Sequence, residues 1–148
     1  MRVKFNQEYF IDVYSDANAL LQQHHREVTI FEGLPLEIDV DKYLTSEEFG
    51  ALKVFTIRNE QKLIGYASFF LYKHSHHLNT LHATQDTVYI TPQERGIGLE
   101  FSLYCDEQLR LAGATHIHRG MPIGGHFGKK LEDAGYQAKE TIYIRSLI

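Results

Sequence analysis

A strand, a glycine-bearing turn and a helix follow one another in residues 86–111, and this succession constrains the fold more than any other stretch. The apolar strand ends at Pro92, and Gly96 and Gly98 stand where the helix begins. The first N–H groups of a helix have no partners within it and lie at the positive end of its dipole. Protein chains often bind phosphates in this way. We therefore predict that the turn holds the phosphates of a cofactor.

Two better-known phosphate-binding motifs do not fit this chain. The dinucleotide fingerprint needs a third glycine three residues after Gly98, where Phe101 stands. The phosphate loop of nucleotide hydrolases needs a glycine five residues before a Gly-Lys pair, and the pair at Gly128 has Ile123 in that place. The remaining alternative is a turn that needs glycine only for its backbone geometry.

Composition limits the class of protein. With 148 residues, 43% of them hydrophobic and 23% charged, the chain is expected to form a single domain over residues 1–148. A net charge of −4 argues against nucleic acid as the main partner. We find no apolar run near the roughly 20 residues of a membrane span, and no signal-peptide core. With Cys105 as the single cysteine, we expect a cytoplasmic protein without disulfides.

The pattern along the chain predicts an α/β (α+β) fold. We expect a mixed, mainly antiparallel sheet of about six to seven strands with helices on both faces. The strands 54–58, 63–72 and 80–90 should form an antiparallel meander, and 115–119 should run parallel to the last of them. The remaining expected elements are short or terminal: a strand at 3–5, helices within 16–27, 39–52, 96–112 and 124–135, and a closing strand at 141–147.

The motif from Gln93 to Gly98 resembles the cofactor motif of the GNAT superfamily of N-acetyltransferases. That motif is Gln or Arg, two residues, Gly, one residue, then Gly or Ala, placed between a strand and a helix. Residues 131–136 are similar to the family's closing helix and Gly-aromatic step, and the stretches 65–70, 74–76 and 80–86 resemble a branch common in bacteriophage and prophage genomes. The resemblance implies an acyltransferase that moves an acetyl group from acetyl-CoA directly to a primary amine of an unidentified acceptor.

The resemblance also implies where acetyl-CoA, as co-substrate, would bind. Backbone N–H groups from Arg95 to Leu99 would hold the pyrophosphate, and the pantetheine arm would lie along the preceding strand. A backbone N–H near Val88 or Tyr89 would polarise the thioester carbonyl. The complete expected set is Val88, Tyr89, Ile90, Gln93, Glu94, Arg95, Gly96, Ile97, Gly98 and Leu99.

Catalysis would require a base, because an amine with a pKa of about 10.4 is almost fully protonated at pH 7. Asp86 is the first candidate, although it could instead orient a polar neighbour. The tyrosine that often serves the family as the acid is replaced by Leu131. Either the thiolate, with a pKa of about 8.5, leaves without an acid, or His118 or His126 replaces the tyrosine.

The nine histidines leave a further question, because they either line a site or decorate the surface. The fold implied by the resemblance would place His24, His25, His76 and His82 beside the acceptor. We expect no metal site, since there is one cysteine and no helical His-x-x-x-His. The alternative functions are a catalytically weak CoA-binding or protein-binding module on the same fold and, less well supported, a metal-binding histidine-rich protein. The acceptor could be a small molecule or a protein, and a homodimer stays open.

Overall fold

A computed structural model describes residues 2–28 and 30–148. Five strands form one sheet in the order β1-β2-β3-β4-β5, with β4 and β5 parallel and the other pairs antiparallel. The predicted meander is therefore confirmed. In chain order the elements are β1 Val3–Glu8, α1 Phe10–Glu27, α2 Val40–Glu48, β2 Leu52–Asn59, β3 Lys62–His74, β4 His77–Ile90, a 3-10 turn Pro92–Glu94, α3 Gly98–Leu111, β5 His116–His118 and α4 Phe127–Asp133.

Helices cover both faces of the sheet, as the sequence pattern predicts. On one face, Phe101, Cys105 and Leu109 of α3 pack against strand residues that include Phe55 and Phe69, all of them fully buried. On the other face, the apolar stripe of α1 packs against residues such as Val54, Tyr66 and Tyr89, and α2 completes that layer. The α1 stripe consists of Phe10, Val13, Ala17 and Leu20.

Helix α1 begins six residues before its predicted start at residue 16. Tyr9 precedes the first turn and offers no side-chain cap. Instead, the N–H of Phe10 donates to Oε2 of Glu47 in α2, at 2.8 Å. This contact satisfies one of the N–H groups that a helix start leaves free. The second helix, α2, is capped by Asp39, which accepts from the N–H of Lys42 at 3.0 Å.

The expected strand at 141–147 is wrong, and the described sheet has five strands rather than six to seven. Residues 137–148 are exposed throughout, including Ile142, Ile144 and Leu147. Alternating apolar residues favour a strand when one of its faces is buried. No face of this segment packs on the core of the described chain, so the alternation alone does not build a sixth strand.

Candidate functional site

A groove opens where β4 and β5 separate. The two strands pair only from His82 with His116 to Thr84 with His118, and the rest of β4 runs on without β5 as a partner. The groove has a volume of about 490 Å³, which is within the usual range for small-molecule sites. Six of the ten predicted cofactor residues line it: Val88, Tyr89, Ile90, Arg95, Gly96 and Gly98. The other four, Gln93, Glu94, Ile97 and Leu99, are not among its described lining residues.

The glycine turn lies at one end of this groove, and its two glycines are needed for different reasons. Gly96 has a φ of 124°, which side-chain-bearing residues rarely adopt. Gly98 begins α3, and a Cβ there would lie 3.4 Å from Cε2 of Phe127. Any longer side chain at position 98 would therefore meet α4. The turn needs glycine for its geometry, and it also presents the start of α3 to the groove.

Arg95 is held across the mouth of the groove by Glu27, the last residue of α1. Its Nη2 donates to Oε2 of Glu27 at 2.6 Å, and its Nε donates to the carbonyl of Ile90 at 3.0 Å. Tyr89 donates its hydroxyl to the other Glu27 oxygen at 3.2 Å. The hydrogen bond from Arg95 lowers the pKa of Glu27, so this carboxylate is ionised at neutral pH. An anionic ligand at the turn would compete with it for the guanidinium.

A buried arginine, Arg119, also lines the groove. The side chain of Arg119, just after β5, is 2% exposed and donates to Gln85 at 3.0 Å, to Asp106 at 2.7 Å and to the Tyr136 hydroxyl at 3.0 Å. Tyr136 in turn donates to Asp106 at 2.7 Å, and burial raises its pKa to about 12. This network joins β4, α3 and Tyr136 to the residue that follows β5. The sequence analysis did not identify Arg119. Binding sites often lie at the carboxyl ends of parallel strands, so a polar residue directly after such a strand can indicate one.

Asp86 is the extra residue of a β-bulge in β4. Ser68 pairs with Thr87 and Phe69 pairs with Gln85, so no residue of β3 lies opposite Asp86. Its carboxylate accepts from the hydroxyl of Tyr43 at 2.5 Å and from that of Ser68 at 2.8 Å. Asp86 thus orients polar neighbours, as the alternative interpretation expects. It is also exposed, so the carboxylate can receive a further partner.

A second, smaller cavity of about 70 Å³ lies between α1, α2 and the sheet. Tyr43, Ser68 and Thr87 line it together with apolar residues of α1. Thr87 lines this cavity, whereas the next residue, Val88, lines the groove. The two cavities therefore flank β4 beside its bulge.

His24, on the last turn of α1, lines the groove. Its Nδ1 is 2.9 Å from the hydroxyl of Tyr66, and its ring stacks on Tyr89 with centroids 4.9 Å apart. Burial lowers the pKa of His24 below its ordinary value near 6.5, so the ring is neutral at pH 7. His24 is thus placed beside Tyr89, one of the predicted cofactor residues.

The two histidines predicted as possible acids, His118 and His126, lie outside the groove and the smaller cavity. His118 places Nε2 2.7 Å from Nδ1 of His82, within a cluster of rings that also includes His74, His76, His77 and His116. His126 precedes α4 and is exposed. None of the three catalytic candidates, Asp86, His118 and His126, belongs to the described lining of either cavity, and their roles as base and acid stay predictions. Within residues 2–28 and 30–148, no three His, Cys, Asp or Glu side chains are arranged to hold a metal ion.

Comparison with known proteins identifies the fold. No protein-family model matches the sequence, and no curated protein matches it significantly. Among solved structures, glucosamine-6-phosphate N-acetyltransferase from Arabidopsis thaliana has a TM-score of 0.75 at 14% identity, covering 100% of both chains. An aminoglycoside acetyltransferase from an uncultured soil metagenomic sample has a TM-score of 0.73 at 10% identity, covering 99% of this chain and 95% of its own. A predicted acetyltransferase from Clostridium acetobutylicum, solved with acetyl-CoA, has a TM-score of 0.67 at 14% identity, covering 99% and 97%. The chain therefore has the fold of the solved GNAT-type acetyltransferases.

Proposed function

We propose that this protein is an acetyl-CoA-dependent N-acetyltransferase of the GNAT superfamily, acting by direct transfer to a primary amine. The observation that carries the proposal is the groove between β4 and β5, which is lined by the glycine turn and by residues on both sides of the bulge, Gln85 and Val88. Structural neighbours with the same fold are acetyltransferases, and one of them was solved with acetyl-CoA.

Different residues of the groove would bind different parts of acetyl-CoA. The N–H groups from Arg95 to Leu99 would bind the pyrophosphate, and the Arg95 side chain would add a charged contact once Glu27 releases it. The free edge of β4 at residues 88–90 would hydrogen-bond the pantetheine amides as an added strand does. An N–H near Val88 or Tyr89 would polarise the thioester carbonyl.

Asp86 is the proposed base. The amine proton would pass to its carboxylate, directly or through a water molecule, as the new N–C bond forms and the C–S bond breaks. The thiolate would then take a proton from His118, His126 or solvent. Leu131, at the place where related enzymes often carry a tyrosine, is buried and has no proton to give.

Two assays test this function. Acetyl-CoA should raise the melting temperature of the wild-type protein, and Gly98→Phe should abolish the increase because the added ring meets Phe127. Gly120→Phe serves as the control, since a Cβ at Gly120 meets no atom within 4 Å. Thiol release with a panel of amines then measures transfer. Absence of any acetyl-CoA effect on the wild type would rule out the proposal.

The second candidate is a CoA-binding or protein-binding module that transfers poorly. The observation in its favour is Leu131, which removes the usual acid. This candidate predicts a rise in melting temperature with acetyl-CoA and no thiol release above the uncatalysed rate with any amine. The two assays therefore separate a module from an enzyme.

We also propose a homodimer in which residues 141–148 of one copy contact the other copy. Ile142, Tyr143 and Ile144 are 69%, 91% and 59% exposed, and among the described residues β5 pairs on one side only. Exposed apolar segments and unpaired strand edges both favour association. The double substitution Ile142→Asp with Ile144→Asp should convert a dimer to a monomer in light scattering, whereas Ile123→Asp should not. A monomeric wild-type protein would exclude this arrangement.

The remaining proposals concern the number of domains and the cellular location of the protein. Across the described residues, no helix is both long and apolar enough to cross a membrane. We propose a single domain that works in the cytoplasm, on the basis of composition and the one cysteine. The similarity to the bacteriophage branch stays a prediction from the sequence motifs.

A further inference from the structure

We propose that the small cavity between α1, α2 and β4 is the acceptor subsite, and that it selects a primary amine carrying one compact apolar group. This inference rests on the proposed acetyl transfer and adds the chemical class of the acceptor. It follows from the apolar walls of the cavity, from its volume and from the Asp86 carboxylate beside it.

The walls of the cavity are apolar. Phe10, Val13 and Ala17 of α1 line one side, and Val54 and Tyr66 of the sheet line the other. The described lining contains no lysine, arginine or carboxylate. Such a surface binds an alkyl group by removing it from water, at roughly 25 cal/mol for each Å² of apolar area buried.

The volume limits the size of that group. The cavity of about 70 Å³ is roughly half of an engineered apolar cavity of about 150 Å³ that binds benzene. By this comparison it would hold roughly three or four carbon atoms. A sugar ring with its hydroxyl groups is too large and too polar for this space.

The charge beside the cavity fixes the position of the amine. Tyr43 and Ser68 are part of the cavity wall, and both donate to the exposed carboxylate of Asp86. An ammonium group at Asp86 would form a charge-assisted hydrogen bond while its alkyl group enters the cavity. A phosphate would be repelled by Asp86 and would find no cation in the lining. The described lining itself offers no carboxylate for the several ammonium groups of an aminoglycoside.

The test compares isobutylamine, glucosamine 6-phosphate and the aminoglycoside sisomicin as acceptors, using thiol release from acetyl-CoA. We expect isobutylamine to give the highest kcat/KM. Ala17→Leu fills the cavity and should raise the KM for isobutylamine about tenfold, while leaving the KM for acetyl-CoA unchanged. The matched control is Ala19→Leu, which is the same substitution on the exposed side of α1 and should change neither constant.

A second variant, Val13→Ala, tests the same inference if Ala17→Leu does not fold. Val13→Ala enlarges the cavity and should shift the preference from isobutylamine toward the longer 3-methylbutylamine. A higher kcat/KM for sisomicin or glucosamine 6-phosphate, or equal KM values for Ala17→Leu and Ala19→Leu, would overturn the inference. Stabilisation by acetyl-CoA without turnover of isobutylamine would also overturn it and leave the donor site standing. Absence of stabilisation would instead remove the proposed function itself.

Discussion

Glu27 and Arg95 form an ion pair of 2.6 Å between the end of α1 and the glycine turn. Both side chains are about half exposed, so the pair contributes little to folding stability. The position of the pair is relevant to ligand binding. The Arg95 guanidinium, which would contact the pyrophosphate, is already bound to the Glu27 carboxylate.

We therefore predict that Glu27→Gln tightens acetyl-CoA binding by about threefold to tenfold, since an anionic competitor is removed. Arg95→Gln should weaken binding. Isothermal titration at low salt measures both effects, and added salt should reduce them. Glu107→Gln is the matched control, because Glu107 forms an exposed pair with Arg110 outside the groove. Unchanged or weaker binding by Glu27→Gln would contradict the competition.

Asp86→Asn should reduce kcat by about 10²-fold to 10⁴-fold, because the amide cannot accept the amine proton. The Kd for acetyl-CoA should stay the same, since the proposed pyrophosphate site at the glycine turn does not include Asp86. Asp12→Asn on the exposed side of α1 provides the control. Turnover retained in Asp86→Asn would show that another group is the base.

Removal of Arg119 should destabilise the fold. Arg119→Met leaves Asp106 and Tyr136 without their buried partner, and we expect a loss of about 3 kcal/mol in the free energy of unfolding. Urea denaturation measures it. Arg110→Met, which removes an exposed ion pair from the same region, should have little effect. Equal midpoints for the two variants would mean that the network does not hold β4, β5 and α3 together.

Stability should fall as the pH drops below about 6.5. His82 is 7% exposed, and its pKa is lowered by burial and by the neighbouring His116 and His118. The unfolded chain takes up a proton at His82 near pH 6.5, while the folded chain does so only at lower pH. Protonation therefore favours unfolding in that interval.

The measurement is the free energy of unfolding at pH 7.5 and at pH 5.5, for the wild type and for His82→Gln. The variant should lose less stability between the two pH values. His25→Gln, which removes a histidine outside this cluster, is the control. An identical pH dependence in His82→Gln and the wild type would show that His82 titrates normally.

The sequence was informative where neighbouring residues determine the structure. The glycine turn, the meander and the grouping of six predicted cofactor residues along one groove follow from local patterns and from the family motif. The start of α1 does not, because Phe10 is capped by Glu47, which lies 37 residues away. Arg119 likewise gains its significance from Asp106 and Tyr136, which reach it from other elements. The absent strand at 141–147 shows the converse, since alternation without a buried face does not form a ladder.

Asp86, the extra residue of the bulge, changes which positions of β4 face each side of the sheet. Before it, Ala83 points into the core under α3 while His82 points to the other face; after it, Thr87 shares the face of Asp86. If Asp86 instead took a regular place in the pleat, opposite a residue of β3, the whole strand would follow a single alternation. Either the first half of β4 would then turn His82 into the α3 core, or the second half would turn Tyr89 away from α1. The register of one residue thus keeps the histidine cluster out of the core while the glycine turn stays in place.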